Sequence, residues 1–135
     1  MVLVDTSVLI SFLKGQADKK TELFKAVLSR GIPFGISSYT YQEILQGARN
    51  ETEFSTLKEY FSTQQIYYLE PQASTFEKAA SIYFKLRRNG VTARSTIDVL
   101  IALTAIENKL ALLHSDHDFD LMSDYIAELM VLNTL

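Results

Sequence analysis

The chain has 135 residues, of which 47% are hydrophobic and 21% charged, a composition typical of one globular domain and unlike disordered or collagen-like chains. It contains no cysteine, which excludes disulfide bridges and thiolate metal sites. Its formal net charge of -3 gives no indication of a nucleic-acid partner, since phosphate binding normally needs a basic surface. No hydrophobic run is long enough to span a bilayer, and Val2–Val4 has no basic region before it, so we expect a cytoplasmic protein with no membrane partner.

The first half of the chain alternates predicted strands with predicted helices. Short runs of β-branched and aromatic residues indicate strands, whereas hydrophobic residues at helical spacing indicate helices. Glycine, proline and serine residues mark the boundaries between them. We predict strands at residues 2–4, 34–36 and 66–69, and helices at residues 5–13, 19–29, 39–48 and 53–61.

The second half continues the same alternation. Pro71 opens a long amphipathic helix that runs to about Arg88, where Asn89 and Gly90 end it. Another helix is predicted at residues 96–108, a strand at 111–113, a last helix at 119–125 and a weak strand at 129–132. Strands joined by helices run mostly parallel and are covered on both faces. We therefore predict a single domain, a three-layer α/β/α sandwich with a central mostly parallel sheet of about five strands.

Acidic residues occupy the positions at which such a sheet would bind a ligand. Asp5 follows the first strand and Asp116 follows the strand at residues 111–113. Both are therefore expected at the carboxyl ends of parallel strands, where open α/β sheets bind ligands. Asp98 begins an almost wholly hydrophobic helix, and a buried carboxylate needs a cation, an arginine or a metal nearby. The position of Glu43 alone does not indicate a functional residue, and it becomes a candidate only together with these three aspartates.

Each acid also has a simpler interpretation, which the sequence alone leaves open. Asp5 and Asp116 could be helix N-caps, because aspartate accepts the unpaired N–H groups of a first turn. Asp98 could be a first-turn aspartate that the helix dipole favours. Glu43 could be a solvated surface residue, which is the usual position of a helix glutamate.

Four short motifs stand out along the chain. They are Val-Leu-Val-Asp5-Thr6-Ser7, a glutamate at the head of a helix (Glu43), Ser95-Thr96-Ile97-Asp98 followed by Leu100-Ile101-Ala102, and Leu113-His114-Ser115-Asp116-His117-Asp118-Phe119. Together they resemble a PIN domain of the VapC toxin type, over essentially the whole chain. Ser115 departs from the commonest pattern, in which threonine or a basic residue precedes the fourth acid.

The resemblance implies a metal-dependent endoribonuclease that hydrolyses RNA with one or two Mg²⁺ or Mn²⁺ ions. Its catalytic and metal-binding residues would be Asp5, Glu43, Asp98 and Asp116, with Thr6, Ser7 and Asp118 in support. A cognate VapB-like antitoxin and a homodimer are also implied. With these four acidic charges neutralised by metal, the net charge of the remaining surface becomes +1, which permits RNA binding without indicating it.

Two further groups of residues have alternative interpretations. His114 and His117 flank Asp116, and imidazole suits a transition-metal ligand or a general base, but packing or a helix start explains them equally simply. A basic group surrounds the Asn89-Gly90 turn and could contact RNA phosphates, or it could be a solvated helix end. This group comprises Lys85, Arg87, Arg88 and Arg94.

Two other function classes fit part of the pattern. A phosphoacceptor receiver domain is also a small α/β sandwich with an acidic pocket, but it needs paired acids after its first strand, where Asp5 stands alone. A PIN-like module without catalytic activity, which only binds RNA or protein, is the second alternative. The complete set of four acids favours the enzyme.

Overall fold

The computed structural model describes residues 1–93 and 95–135 and contains one parallel sheet. Its strands are β1 (Val2–Val4), β2 (Phe34–Ser37), β3 (Gln65–Tyr67) and β4 (Ala111–Leu113). They are arranged in the order β3-β2-β1-β4, so β1 and β2 are central. The predicted parallel sheet is confirmed with four strands, and the weak strand expected at residues 129–132 is a single bridge between Leu112 and Val131.

Seven helices connect and cover the strands within the described residues. They are α1 (Thr6–Leu13), α2 (Lys19–Ser29), α3 (Ser38–Gln46), α4 (Glu51–Ser62), α5 (Ala73–Arg88), α6 (Thr96–Glu107) and α7 (His117–Tyr125). Side-chain caps set several of the starting points, because an Asp, Ser or Asn oxygen accepts an N–H group that the first turn leaves unpaired.

Several helix starts differ from the sequence prediction by one or two residues, and two of them lie next to the site. α7 begins at His117 and not near Phe119, because the side chain of Asp116 caps it. α3 begins at Ser38, which puts Glu43 in its second turn. The prediction that Glu43 lies at the head of a helix was therefore wrong.

The two faces of the sheet bury separate hydrophobic clusters. Leu3 and Leu112 belong to the cluster under α5, α6 and α7, whereas Val2, Val4 and Leu113 belong to the cluster under α1 to α4. Neighbouring strand residues point to opposite faces, which explains this alternation. Each large aliphatic side chain that is fully buried stabilises the folded state by about 1.5–3 kcal/mol. The predicted three-layer α/β/α sandwich is thus confirmed.

Helix α6 is the most deeply buried helix next to the site. Its buried residues lie on nearly every face and include Val99, Ile101 and Leu103. Asp98 lies in its first turn and is half-buried, so the helix brings one carboxylate to the edge of the core. Among the described residues, no helix combines the length and the apolar character needed to cross a membrane.

Candidate metal centre

The pairing of β1 with β4 brings two of the predicted acids to one edge of the sheet. Val4 pairs with Leu113 in parallel register, and the backbone N–H of Asp5 donates a 2.9 Å hydrogen bond to the carbonyl of Leu113. The chain segments that follow these strands therefore begin side by side. Asp5 and Asp116 lie in those segments, as the sequence predicts.

Asp5 is held by a serine that also binds the segment after β4. The carboxylate oxygen Oδ2 of Asp5 accepts hydrogen bonds from the backbone N–H of Ser7 at 3.0 Å and from its hydroxyl at 2.6 Å. The Ser7 hydroxyl oxygen in turn accepts the backbone N–H of Ser115 at 2.9 Å. Asp5 is therefore a helix N-cap that is also tied through Ser7 to the segment after β4, so the N-cap interpretation is confirmed and the metal-binding role of Asp5 stays a prediction.

Three aspartates form the most compact group of carboxylates. Asp98, Asp116 and Asp118 each offer one oxygen, and the three oxygens lie within 4.8 Å of one another. Oδ1 of Asp116 accepts the backbone N–H of Asp118 at 2.9 Å, which caps α7. The resemblance implied only a supporting role for Asp118, but its oxygen belongs to the same group as those of the predicted ligands Asp98 and Asp116.

A row of buried hydroxyl groups reaches Glu43. The Thr6 hydroxyl donates to Oε1 of Glu43 at 2.9 Å, and its oxygen lies 3.1 Å from the hydroxyl oxygen of Thr40. The Ser37 hydroxyl donates to Thr40 at 3.2 Å. Each hydroxyl carries one proton, so all three contacts are used only when Ser37 donates to Thr40, Thr40 to Thr6 and Thr6 to Glu43.

The electrostatics of the site link all five carboxyl groups. Burial is the main cause that raises the pKa of Asp98 to about 7, and the negative charges of Asp116, Asp5, Glu43 and Asp118 contribute to the same rise in that order of importance. Burial also raises the pKa of Asp5, against the lowering effect of its hydrogen bonds from Ser7. Without a cation, the neighbouring carboxylates therefore repel one another at neutral pH.

This set of donors fits a hard divalent cation. Mg²⁺ and Mn²⁺ prefer oxygen ligands, and Mg²⁺ takes one or two carboxylates and keeps several waters. The oxygens of Asp98, Asp116 and Asp118 are near enough to share an ion, and Asp5 and Glu43 add negative charge beside them. A cation there would remove the repulsion that raises the pKa of Asp98.

The structure directs His114 away from the carboxylate group. Its Nδ1 accepts the backbone N–H of Asp116 at 3.1 Å, and its Nε2 lies 3.2 Å from Oδ1 of Asp120. Burial lowers the pKa of His114, which favours the neutral imidazole. His117 is exposed, and its Nδ1 lies 3.8 Å from Oδ2 of Asp120. The hydrogen bond at Nδ1 supports a packed and bonded role for His114 over a transition-metal ligand.

The predicted RNA contacts lie on the last turn of α5. Lys85, Arg87 and Arg88 are exposed, and the guanidinium groups of the two arginines lie 5.9 Å from the ring centre of Tyr83 and 5.7 Å from that of Phe84, respectively. Each pair is four residues apart on the helix, so these contacts are expected from helix geometry alone. Arg94, the fourth predicted contact, lies outside the described residues.

Sequence reasoning did not find three residues that hold the site together. Thr40 and Ser37 join α3 to Thr6, and the backbone of Ser115 binds Ser7. The spacing of Ser37 and Thr40 is that of an N-cap with the third residue of its helix, which was the one local signal available. The other contacts join residues far apart in the sequence.

Comparison with known proteins decides the family. The family model of the PIN domain matches residues 2–124. The chain belongs to the PIN-domain family. The resemblance noted in the sequence is thereby confirmed, and the receiver-domain alternative is excluded.

Several curated proteins and solved structures are similar to this PIN domain over nearly the whole chain. VapC ribonuclease Mb1587 of Mycobacterium bovis and ribonuclease VapC11 of Mycobacterium tuberculosis are each 29% identical over 124 residues, which is 91% of this chain and 92% of the relative. The fold is similar to that in VapBC2 of Rickettsia felis bound to a promoter DNA fragment, with a TM-score of 0.73, 18% identity and 98% coverage of both chains. VapBC-1 of Haemophilus influenzae gives a TM-score of 0.72 with 20% identity and the same coverage.

Proposed function

We propose that this PIN domain is an endoribonuclease that depends on Mg²⁺ or Mn²⁺ and acts as the toxin of a VapBC-type pair. The observation that carries the proposal is the group of three aspartate oxygens within 4.8 Å of one another, in a chain whose similar curated relatives are ribonucleases. Asp5 and Glu43 complete the acidic surroundings of that group.

In this proposal the acidic residues divide into ligands and orienting groups. Asp98, Asp116 and Asp118 would hold one or two ions through their neighbouring oxygens. Asp5 is fixed by Ser7 and contributes negative charge, or a further ligand, from the end of β1. Glu43 accepts a hydrogen bond from the Thr6 hydroxyl, which positions its carboxyl group to bind an ion or orient a water.

A bound divalent ion would lower the pKa of a coordinated water and stabilise negative charge on the scissile phosphate. The chain's own residues supply what that chemistry requires. They gather carboxylates at one sheet edge, exclude bulk water from Asp5 and Thr6 by burial, and hold each side chain by short hydrogen bonds. Preorganised groups of this kind lose little free energy to rearrangement during a reaction.

We also propose that the basic turn of α5 binds the RNA backbone. Lys85, Arg87 and Arg88 carry three positive charges on one exposed helix end, and phosphate contacts position RNA without reading its sequence. Arg94 belongs to the same proposal from its place in the sequence.

An antitoxin partner is supported by the solved neighbours, several of which are VapBC complexes. A cavity of about 550 Å³ opens beside Glu43, and its lining includes Ile10, Leu13, Ile44 and Leu57. We propose that an antitoxin segment binds in this cavity. Its hydrophobic side chains would pack against the lining, and one of its basic side chains would contact Glu43. A homodimer stays a prediction that light scattering of the purified protein can test.

The decisive experiment incubates purified protein with total RNA in Mg²⁺, Mn²⁺ or EDTA and maps new RNA ends. We expect cuts with metal by the parent and none by Asp5→Asn, which keeps an oxygen to accept the Ser7 hydrogen bonds. Asp18→Asn is the matched control, because Asp18 caps α2 in the same way outside the acidic group. Cuts by Asp5→Asn equal to those of the parent would contradict the assignment.

A melting experiment separates metal binding from catalysis. A ligand that binds only the folded state raises the melting temperature in proportion to RT ln(1 + [L]/Kd). Millimolar Mn²⁺ should therefore raise the Tm of the parent, and Asp98→Asn should reduce that increase. A Tm that rises with Mn²⁺ while no RNA is cut would favour the alternative, a PIN-like module that binds RNA or protein without cleaving.

A further inference from the structure

His114 lies between β4 and the helix that carries two of the clustered aspartates. Its side chain is 1% exposed, so the imidazole is enclosed by protein. It follows Leu113, the last residue of β4, and precedes Asp116, the N-cap of α7, by two residues. The ring is thus positioned to fix the turn that joins the sheet to α7.

Three contacts connect this ring to the start of α7. Nδ1 accepts the backbone N–H of Asp116 at 3.1 Å, and Nε2 lies 3.2 Å from Oδ1 of Asp120. The ring centre lies 5.1 Å from that of Phe119 at an interplanar angle of 49°. Because Nδ1 accepts a hydrogen bond, it carries no proton, and the proton of the neutral ring lies on Nε2. Nε2 approaches Asp120 without the geometry of a hydrogen bond, so the hydrogen bond at Nδ1 is the one that fixes the ring.

The contact at Nδ1 determines where the Asp116 carboxylate can lie. Oδ1 of Asp116 is already used to accept the backbone N–H of Asp118, which closes the first turn of α7. With its backbone N–H held by His114 as well, Asp116 is fixed at both its backbone and its side chain. Its remaining carboxylate oxygen then has a defined direction relative to Asp98 and Asp118, the other two members of the group.

We propose that His114 is a positioning residue, which holds the backbone of Asp116 through Nδ1 so that Asp98, Asp116 and Asp118 are arranged for a divalent cation before it binds. The inference rests on the proposed function, because it requires that this group binds a metal. His114 itself is not a ligand. Residues that orient metal ligands through hydrogen bonds commonly change metal affinity by about 10–100-fold when they are removed.

Two variants of nearly equal shape test the hydrogen bond separately from packing. His114→Asn places its side-chain oxygen where Nδ1 lies, whereas His114→Leu has the same branching without an acceptor. Both variants lose the contact with Phe119 and the approach of Nε2 to Asp120. Because the site is buried, the polar asparagine should destabilise the fold at least as much as leucine does. A merely structural role would therefore weaken Mn²⁺ binding by His114→Asn no less than by His114→Leu. His117→Leu, at the exposed histidine that begins α7, is the control.

Mn²⁺ affinity, measured from the electron paramagnetic resonance signal of free Mn²⁺, is the main measurement. We expect His114→Asn and His117→Leu to bind Mn²⁺ within about threefold of the parent, and His114→Leu to bind about tenfold more weakly. Equal affinities of His114→Asn and His114→Leu would overturn the inference and leave the proposed function intact. A parent that does not bind Mn²⁺ at all would overturn both.

A second measurement needs neither a variant nor a metal. In the metal-free parent, ¹⁵N spectra of the imidazole should show a protonated Nε2 and an unprotonated, hydrogen-bonded Nδ1 at His114. The Asp116 amide should exchange slowly with solvent. A proton on Nδ1, or a freely exchanging Asp116 amide, would overturn the inference even if the His114 variants fail to fold.

Discussion

Thr6 and Glu43 are joined by a 2.9 Å hydrogen bond from the threonine hydroxyl to Oε1 of the carboxylate, across 37 positions of sequence. The contact fixes the first turn of α1 against the second turn of α3. It also holds one carboxylate oxygen of Glu43 in a defined position, because that oxygen accepts the threonine hydroxyl.

Removal of that donor should lower activity more than stability. We expect Thr6→Val to reduce the rate of RNA cleavage with Mn²⁺ by about tenfold, the range seen when a group that orients a ligand is lost. Thr6→Ser keeps the hydroxyl and should stay within about threefold of the parent. Initial rates and melting temperatures of the three proteins check this, and equal rates for the valine and serine variants would contradict it.

The raised pKa of Asp98 should make the metal-free protein less stable as the pH rises. The pKa of Asp98 is about 7 in the folded protein and near 3.9 in an unfolded chain. Between these values the folded state binds more protons than the unfolded state, so the free energy of unfolding falls as pH increases and levels off above about 7. Denaturation in EDTA from pH 4 to pH 8 measures this fall.

The variant Asp98→Asn isolates the contribution of one carboxyl group. The asparagine side chain cannot ionise, so the free energy of unfolding of this variant should fall less over the same pH range. Some fall remains, because the raised pKa of Asp5 contributes a decrease of the same sign. Asp98 is only half-buried, and solvent screening reduces the size of the effect. Parallel pH curves for the parent and Asp98→Asn would show that Asp98 does not titrate in this way.

β3 packs so closely against Gly35 of β2 that there is no space for a side chain at this position. A Cβ atom there would lie 2.5 Å from Cε2 of Tyr67 and 2.7 Å from the carbonyl oxygen of Gln65. Gly35→Ala should therefore lower the free energy of unfolding by about 1–3 kcal/mol, as overpacking usually does. Gly47→Ala is the control, since a Cβ there would meet its nearest atom, the Ile44 carbonyl oxygen, at an ordinary 3.5 Å. Urea denaturation compares the two, and equal stabilities would refute the clash.

Much of the fold could be predicted because its signals are local. Hydrophobic spacing marks the strands and helices, and polar residues such as Ser95 mark helix starts. The errors lie where a local signal competes with another. The family motif placed Glu43 at the head of a helix, whereas Ser37 caps α3 well before Glu43 by accepting the backbone N–H of Thr40.

The acids of the site could be proposed from their order along the chain, but their arrangement could not. Asp118 lies two residues after Asp116, and nothing in that spacing shows that its oxygen approaches Asp98. The hydroxyl row from Ser37 to Thr6 depends on how α1 packs against α3, which no periodicity records. The functional roles of these residues stay predictions.

The basic turn of α5 gives the last prediction, which concerns RNA binding. In the inactive Asp5→Asn background, replacement of Arg87 and Arg88 by alanine should weaken binding of a labelled single-stranded RNA. The slope of log K against log salt concentration should become shallower by about 0.7 for each arginine that contacts a phosphate of the single strand. Fluorescence anisotropy at several salt concentrations measures both quantities.

The control for this prediction removes the same charge from the other face of the sheet. Lys25 and Arg30 belong to α2 and its C-cap, and α2 packs in the hydrophobic cluster opposite that of α5. Alanine at both positions lowers the net charge equally, so a general electrostatic effect would weaken RNA binding in both double variants. A salt slope that changes only with Arg87 and Arg88 would assign the phosphate contacts to the α5 turn, whereas an unchanged slope would refute that surface.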